Sequence, residues 1–231
     1  MKSTEMKLAM SEEMVSEIEK RKIMAVLVID KIEQTMPTID ALRAGGVTAI
    51  ELALRTPIAF EAAKIIKKEA PDILLGLGTV LTKVQVAQGI EVGADFAVSP
   101  GCNPEVIDEA RRLGLPFAPG IMTPSDLEVA ISHGCKVVKY FPAETAGSLK
   151  HLNSLVAPYK HLGIKFIPLG GCNKDNASEY YKSPLISIIG GSWLAKQDLI
   201  IKEKWDTITQ NCKEVIAQIR TIRDDNGMIL R

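Results

Sequence analysis

Short apolar runs alternate with longer amphipathic stretches along nearly the whole chain. The apolar runs are IMAVLVI (23–29), VTAIELAL (47–54), DILLGLG (72–78), DFAVSPG (95–101), LPFAPG (115–120), KVVKYF (136–141), IKFIPLGG (164–171) and LISIIGGS (185–192). Their length and their content of Val, Ile and Phe predict strands buried on both faces. Helical periodicity fills the gaps: 32–46, 56–70, 81–94, 103–114, 123–134, 147–159, 173–183 and 203–223. Start and stop signals frame several of these. Gly45-Gly46 ends one helix, Thr-Pro opens two others, and Ser11 followed by acids caps a charged opening helix, SEEMVSEIEKRK.

Strands spaced by helices imply βαβ units and a parallel sheet. Eight units in a chain of 231 residues fit a closed (β/α)8 barrel, the TIM-barrel architecture, with an extra N-terminal helix. The rival, a doubly wound open sheet, wants a GxGxxG turn after its first strand, and VIDKIEQ supplies none. No linker or low-complexity segment interrupts the pattern. The expectation is therefore a single domain over 1–231, with an N-terminal helical segment at 1–22 and the barrel at 23–220. The last residues, DDNGMILR, read as a tail.

Composition narrows the function classes. Twenty-eight basic and 28 acidic residues give a formal net charge of zero, and aromatics are only 5%, which argues against a nucleic-acid surface. Cys102, Cys135, Cys172 and Cys212 are scattered without CxxC spacing, and His133, His151 and His161 do not complement them. The expectation is reduced thiols, no metal and a cytoplasmic location. No run of about 18 apolar residues predicts a membrane span, and the N-terminus has no signal-peptide core.

Two ionisable residues sit inside apolar runs. Glu51 lies within AIELAL and Lys139 within VVKYF. An unpaired buried charge costs several kcal/mol. Strands two and six are both even-numbered, and alternate strands of a barrel feed the same interior layer, so two inward side chains there can meet. One reading is a structural ion pair. The other is a Schiff-base lysine with a carboxylate proton shuttle, since desolvation disfavours an ammonium and only an uncharged amine attacks a ketone. Arg55 follows the second strand, as a carboxylate or phosphate ligand or as a solvated rim charge. Gly170-Gly171 and Gly190-Gly191-Ser192 follow strands seven and eight, where barrels bind phosphate, and a short helix is expected to start near Ser192; the other reading is two glycine-rich turns that close tight αβ geometry. Glu144 is a candidate for substrate contact or helix capping. Cys172 reads as inert, and His133 as a cation at a helix end.

Together AGGVTAIELALRT, GLGTVLT, FAVSPG, PGIMTPSDL, VVKYFPAE, PLGG and IGGSWL resemble the 2-keto-3-deoxy-6-phosphogluconate (KDPG) aldolase family, which includes 4-hydroxy-2-oxoglutarate aldolases. The resemblance implies a cofactor-free class I aldolase with a (β/α)8 barrel, commonly a homotrimer, acting on a keto acid or phosphorylated sugar acid. It implies Lys139 as the Schiff-base residue, Glu51 as general acid and base, and Arg55 as the carboxylate ligand. Thr79, Pro100 and Phe141 would surround the keto acid, and Gly170, Gly171, Gly191 and Ser192 would hold the phosphate. The implied reaction splits KDPG into pyruvate and glyceraldehyde 3-phosphate, with 4-hydroxy-2-oxoglutarate as a further substrate. Leu169 stands where phosphogluconate-type members often carry threonine, which leaves the 6-phosphogalactonate epimer open. A non-catalytic barrel that binds a phosphorylated metabolite is the alternative of another class.

Overall fold

The computed structural model describes residues 8–222. Nine parallel strand segments emerge: β1 (Ile23–Leu27), β2 (Ala49–Ala53), β3 (Leu74–Gly78), β4 (Phe96–Val98), β5 (Phe117–Ala118), β6 (Gly120–Ile121), β7 (Val137–Tyr140), β8 (Lys165–Pro168) and β9 (Ile189–Gly191). They form two ladders, β5-β4-β3-β2-β1-β9 and β6-β7-β8. The expected single fifth strand is thus two pieces. Proline has no N–H for a ladder, and Pro119 stands at the break. The piece before it pairs with β4, and the piece after it pairs with β7. At the other side of the three-stranded ladder, Phe166 makes a parallel bridge to Ile186. There Phe166 N–H donates to Leu185 O at 2.8 Å and Ser187 N–H to Phe166 O at 3.0 Å. Only the last part of the expected eighth strand, β9, joins β1. The fold is a curled parallel sheet with helices outside it.

Four of the helices begin at capping side chains. Helix α1 (Glu12–Arg21) starts at Ser11, whose Oγ accepts Met14 N–H at 3.2 Å. It is shorter than the expected 1–22 segment: Leu8–Ser11 are not helical, and residues 1–7 fall outside the described range. Helices α2 (Thr35–Ala44) and α3 (Ala59–Glu69) follow β1 and β2. Helices α4 (Lys83–Glu91) and α6 (Pro124–Ser132) open with reciprocal boxes, Thr82 with Gln85 and Thr123 with Asp126. Between them, α5 (Pro104–Leu113) begins at Asn103 with Pro104 in its first turn and stops at Gly114, φ 80°. The expected helix after strand six is α7 (Ala143–Ala146), α8 (Ser148–Val156) and a 3-10 turn over Ala157–Leu162. Then come α9 (Ala177–Lys182), α10 (Gln197–Ile201) and α11 (Trp205–Thr221). The terminal stretch DDNGMILR lies outside the described residues.

Each strand is buried on both faces, because its outward side chains meet helices and its inward ones meet each other. Inside, Met24, Ala49, Leu74, Phe96, Val137 and Ile188 form one cluster with Ile18, Met14 and Val15 of α1. Met24, Ala49, Leu74 and Val137 stand at the beginnings of their strands, so α1 lies across that end. A fully buried isoleucine such as Ile18 contributes about 1.5–3 kcal/mol. The opposite end, where the strands finish, is left for polar groups.

Candidate active site

Glu51 occupies the centre of β2, and Lys139 the third position of β7. Curling of the sheet brings them together: Lys139 Nζ donates to Glu51 Oε1 at 3.1 Å. Glu51 is 1% exposed and Lys139 4%. The ammonium also stands over the Phe141 ring, 5.1 Å from its centroid. Glu51 Oε2 is buried with no hydrogen-bond partner. One carboxylate oxygen therefore holds the lysine, and the other is an unused acceptor.

The pair faces a cleft of about 400 Å³, a size that suits a small metabolite. Of the residues singled out from the sequence, Glu51, Arg55, Lys139, Phe141, Gly170, Gly171, Gly191 and Ser192 line it. Thr79 and Pro100 do not. Thr79, whose backbone is held at φ 61°, instead accepts a hydrogen bond at Oγ1 from Arg55 Nε at 3.4 Å. Its nearest service to the cleft is to orient that guanidinium.

Gly170 and Gly171 take φ 90° and 91°, a left-handed conformation that glycine adopts without steric penalty. Their carbonyls are tied away from the cleft. Gly170 O accepts Glu144 N–H at 3.0 Å. Gly171 O accepts the amides of Asn173 and Asn176 at 3.1 and 3.2 Å. Among the described residues, the Gly170 and Gly171 N–H groups donate to no protein acceptor. Two successive N–H groups without a protein acceptor are thus available to a ligand in the cleft that Gly170 and Gly171 line. Glu144 serves this loop without lining the cleft: its Cβ packs where a Gly171 side chain would be, 2.6 Å from the position of a Cβ there. Tyr180 Oη in turn donates to Glu144 Oε1 at 2.5 Å. Burial, reinforced by that carboxylate, pushes the Tyr180 phenol up. Cys172 lines the cleft, but burial raises its thiol to about 12. His133, at the end of α6, pairs through Nδ1 with Asp108 Oδ1 at 2.9 Å.

Gly191 is required by its neighbour, since a Cβ there would fall 1.6 Å from the Trp193 ring. The helix expected to start near Ser192 does not. Residues 192–195 form a turn, and α10 begins only at Gln197, so Gly170, Gly171, Gly191 and Ser192 all meet the cleft without a helix N-terminus among them. Among the described residues, no group of three or more His, Cys, Asp and Glu side chains is placed to hold a metal ion. A buried amine beside a carboxylate, with unpaired backbone N–H groups in the same cleft, suits covalent capture of a carbonyl compound.

The family model for KDPG and KHG aldolase matches residues 14–211. The chain belongs to the KDPG and KHG aldolase family. Within the family it is 34% identical over 210 residues to the 2-dehydro-3-deoxy-phosphogluconate aldolase of Haemophilus influenzae, covering 91% of this chain and 98% of that one. It is 37% identical over 194 residues to the KHG/KDPG aldolase of Escherichia coli, covering 84% and 90%. The KDPG aldolase of Legionella pneumophila, solved with pyruvate captured at low pH as a covalent carbinolamine intermediate, superposes with a TM-score of 0.83 at 33% identity, over 87% of this chain and 97% of that one.

Sequence reasoning missed part of this aldolase-family cleft. Val26, Val28, Ala195, Lys196 and Gln197 also line it. Val26 and Val28 look like ordinary strand residues. Lys196 and Gln197 lie beyond the glycine motif, where the turn at 192–195 gives way to α10. Gln197 Nε2 donates to Asp30 Oδ2 at 2.8 Å, which joins the start of α10 to the loop after β1.

Proposed function

We propose that the chain is a class I aldolase that reversibly cleaves KDPG to pyruvate and glyceraldehyde 3-phosphate, and that Lys139 is its Schiff-base residue. The observation that carries the proposal is the buried Lys139–Glu51 contact at the wall of the cleft. Proton transfer across that contact leaves an uncharged amine. The amine attacks C2 of the keto acid to give a carbinolamine. Glu51, as acid, assists loss of water, and an iminium remains. Glu51 then removes the proton of the C4 hydroxyl, the C3–C4 bond breaks, and its electrons pass into the iminium to form an enamine. The aldehyde leaves. Protonation of the enamine at C3 and hydrolysis release pyruvate and restore the lysine. Among the described residues the second oxygen of Glu51 has no other partner, which suits a group that exchanges protons with substrate.

Arg55, steadied by Thr79, binds the carboxylate, and Phe141 shapes the keto-acid side. Gly170, Gly171, Gly191 and Ser192 take the phosphate. The similarity to the KHG/KDPG aldolase of Escherichia coli also favours 4-hydroxy-2-oxoglutarate as a second substrate. The protein would work as a single closed (β/α)8 barrel over 1–231 with an added N-terminal helix; the Phe166–Ile186 bridge and the split at Pro119 support closure. Four free cysteines favour the cytoplasm. No helix among the described residues is long and apolar enough to cross a membrane. A homotrimer is the proposed assembly, with exposed Leu81, Val84 and Met122 available for contact.

The deciding experiment is borohydride reduction in the presence of pyruvate, followed by peptide mapping. The expected result is one reduced pyruvate adduct on the peptide containing Lys139, absent from Lys139→Ala. A folded protein that gains no mass would sink the proposal.

A further inference from the structure

The charges of the cleft do not balance. Arg55, Lys139 and Lys196 face it with the single carboxylate Glu51. Lys139 and Glu51 satisfy each other at 3.1 Å. Among the described residues neither Arg55 nor Lys196 takes part in a salt bridge. Two cations are therefore left over, one on the loop after β2 and one just before α10. Arg55 is held by Thr79 beside the strand that carries Glu51. Lys196 lies four positions beyond Ser192, just before α10, and lines the same cleft as Gly170 and Gly171. Its backbone is fixed from both sides. Leu194 and Ala195 are buried before it, and Gln197 after it is tied to Asp30. Its side chain is exposed, so the ammonium is tethered at the rim but free to swing over the cleft.

We infer that Lys196 is the cation that selects for a phosphorylated substrate. This rests on the reading of the cleft as an aldolase site. The glycine N–H groups fix the direction of the phosphate oxygens but carry no net charge. A phosphate dianion seated on them needs a counter-charge, and Lys196 is the lysine that lines this part of the cleft. The two ends of the substrate are then recognised by different means, a carboxylate by the guanidinium and a phosphate by N–H groups and an ammonium. An unphosphorylated keto acid would use only the first.

The test uses Lys196→Met and Lys196→Glu. Each is assayed on KDPG and on 4-hydroxy-2-oxoglutarate, with inorganic phosphate as competitor and pyruvate trapping at Lys139 as control. For Lys196→Met the expectation is roughly a tenfold loss in kcat/KM on KDPG, carried by KM, because a solvent-exposed charge pair is screened. A larger loss is expected for Lys196→Glu. The unphosphorylated substrate and the trapping rate should stay within twofold, and phosphate should inhibit the variants less. Equal losses on both substrates, or unchanged inhibition by phosphate, would overturn the inference. Failure of the wild-type protein to trap pyruvate would instead overturn the aldolase reading beneath it.

Discussion

Gly78 and Glu51 occupy complementary space: a Cβ on Gly78 would stand 2.1 Å from Glu51 Oε1. The glycine is paired in register with Ala53, two positions beyond Glu51, and its missing side chain leaves room for the carboxylate that holds Lys139. Gly76, on the same face of β3, does the same for the ring of Phe96, which would meet a Cβ at 2.3 Å. Glycine inside a strand marks such close approaches.

Gly78→Ala should therefore push Glu51 off Lys139 while touching neither by substitution. The expected result is a fall in kcat of about a hundredfold or more, within the range that a positioned acid–base group contributes. Overpacking should also cost roughly 1–3 kcal/mol of stability. Steady-state kinetics and urea unfolding together check it. Full activity in the variant would show that the carboxylate can work from another position.

The Lys139–Glu51 contact also makes a prediction about folding. Lys139→Met leaves a carboxylate buried without its cation, which costs about 3–5 kcal/mol. Adding Glu51→Gln to the same chain removes the stranded charge and should recover most of that loss, although both variants are inactive. Urea midpoints of the single and double variants decide it; additive losses would mean the two groups are not coupled.

Thiol chemistry gives a pH-dependent prediction. Burial raises Cys102 to about 11 and Cys135, Cys172 and Cys212 to about 12. The folded state thus keeps these groups protonated where an unfolded thiol, near about 8.5, has begun to ionise. Their contribution to stability is complete below that unfolded value and is lost as pH rises through the folded values. The native protein should resist a disulfide reagent at pH 8 and release four thiols once unfolded. Its unfolding midpoint should fall as pH climbs from about 9. Rapid labelling of Cys172 in the native state would contradict its burial.

The alternation of strands and helices was legible because strands buried on both faces write themselves as unbroken apolar runs. Glu51 and Lys139 were legible for the same reason, as charges where the environment should be dry. Other features left no such mark. Pro119 looks like part of a strand end until its neighbours pair with different partners. Gly78 reads as a small residue in an apolar run, and only three-dimensional packing shows what fills its space. Ser192 was expected at a helix start because the glycines before it usually lead into one; Trp193 folds back over Gly191, and the chain turns first. Lys196 lay just beyond that turn, and its place in the cleft depends on contacts such as Gln197 with Asp30.

Helix α1 lays the hydrocarbon of Met14, Val15 and Ile18 into the cluster that floors the sheet interior. Water meets Arg55, Ser192 and Lys196 at the other end. A charge set between an oily floor and an aqueous mouth is not screened alike in every direction, because low-dielectric walls concentrate field lines toward the opening. The helix thus acts as an insulating backplate. It directs the attraction of the cleft's surplus positive charge outward, along the path by which an anionic substrate arrives.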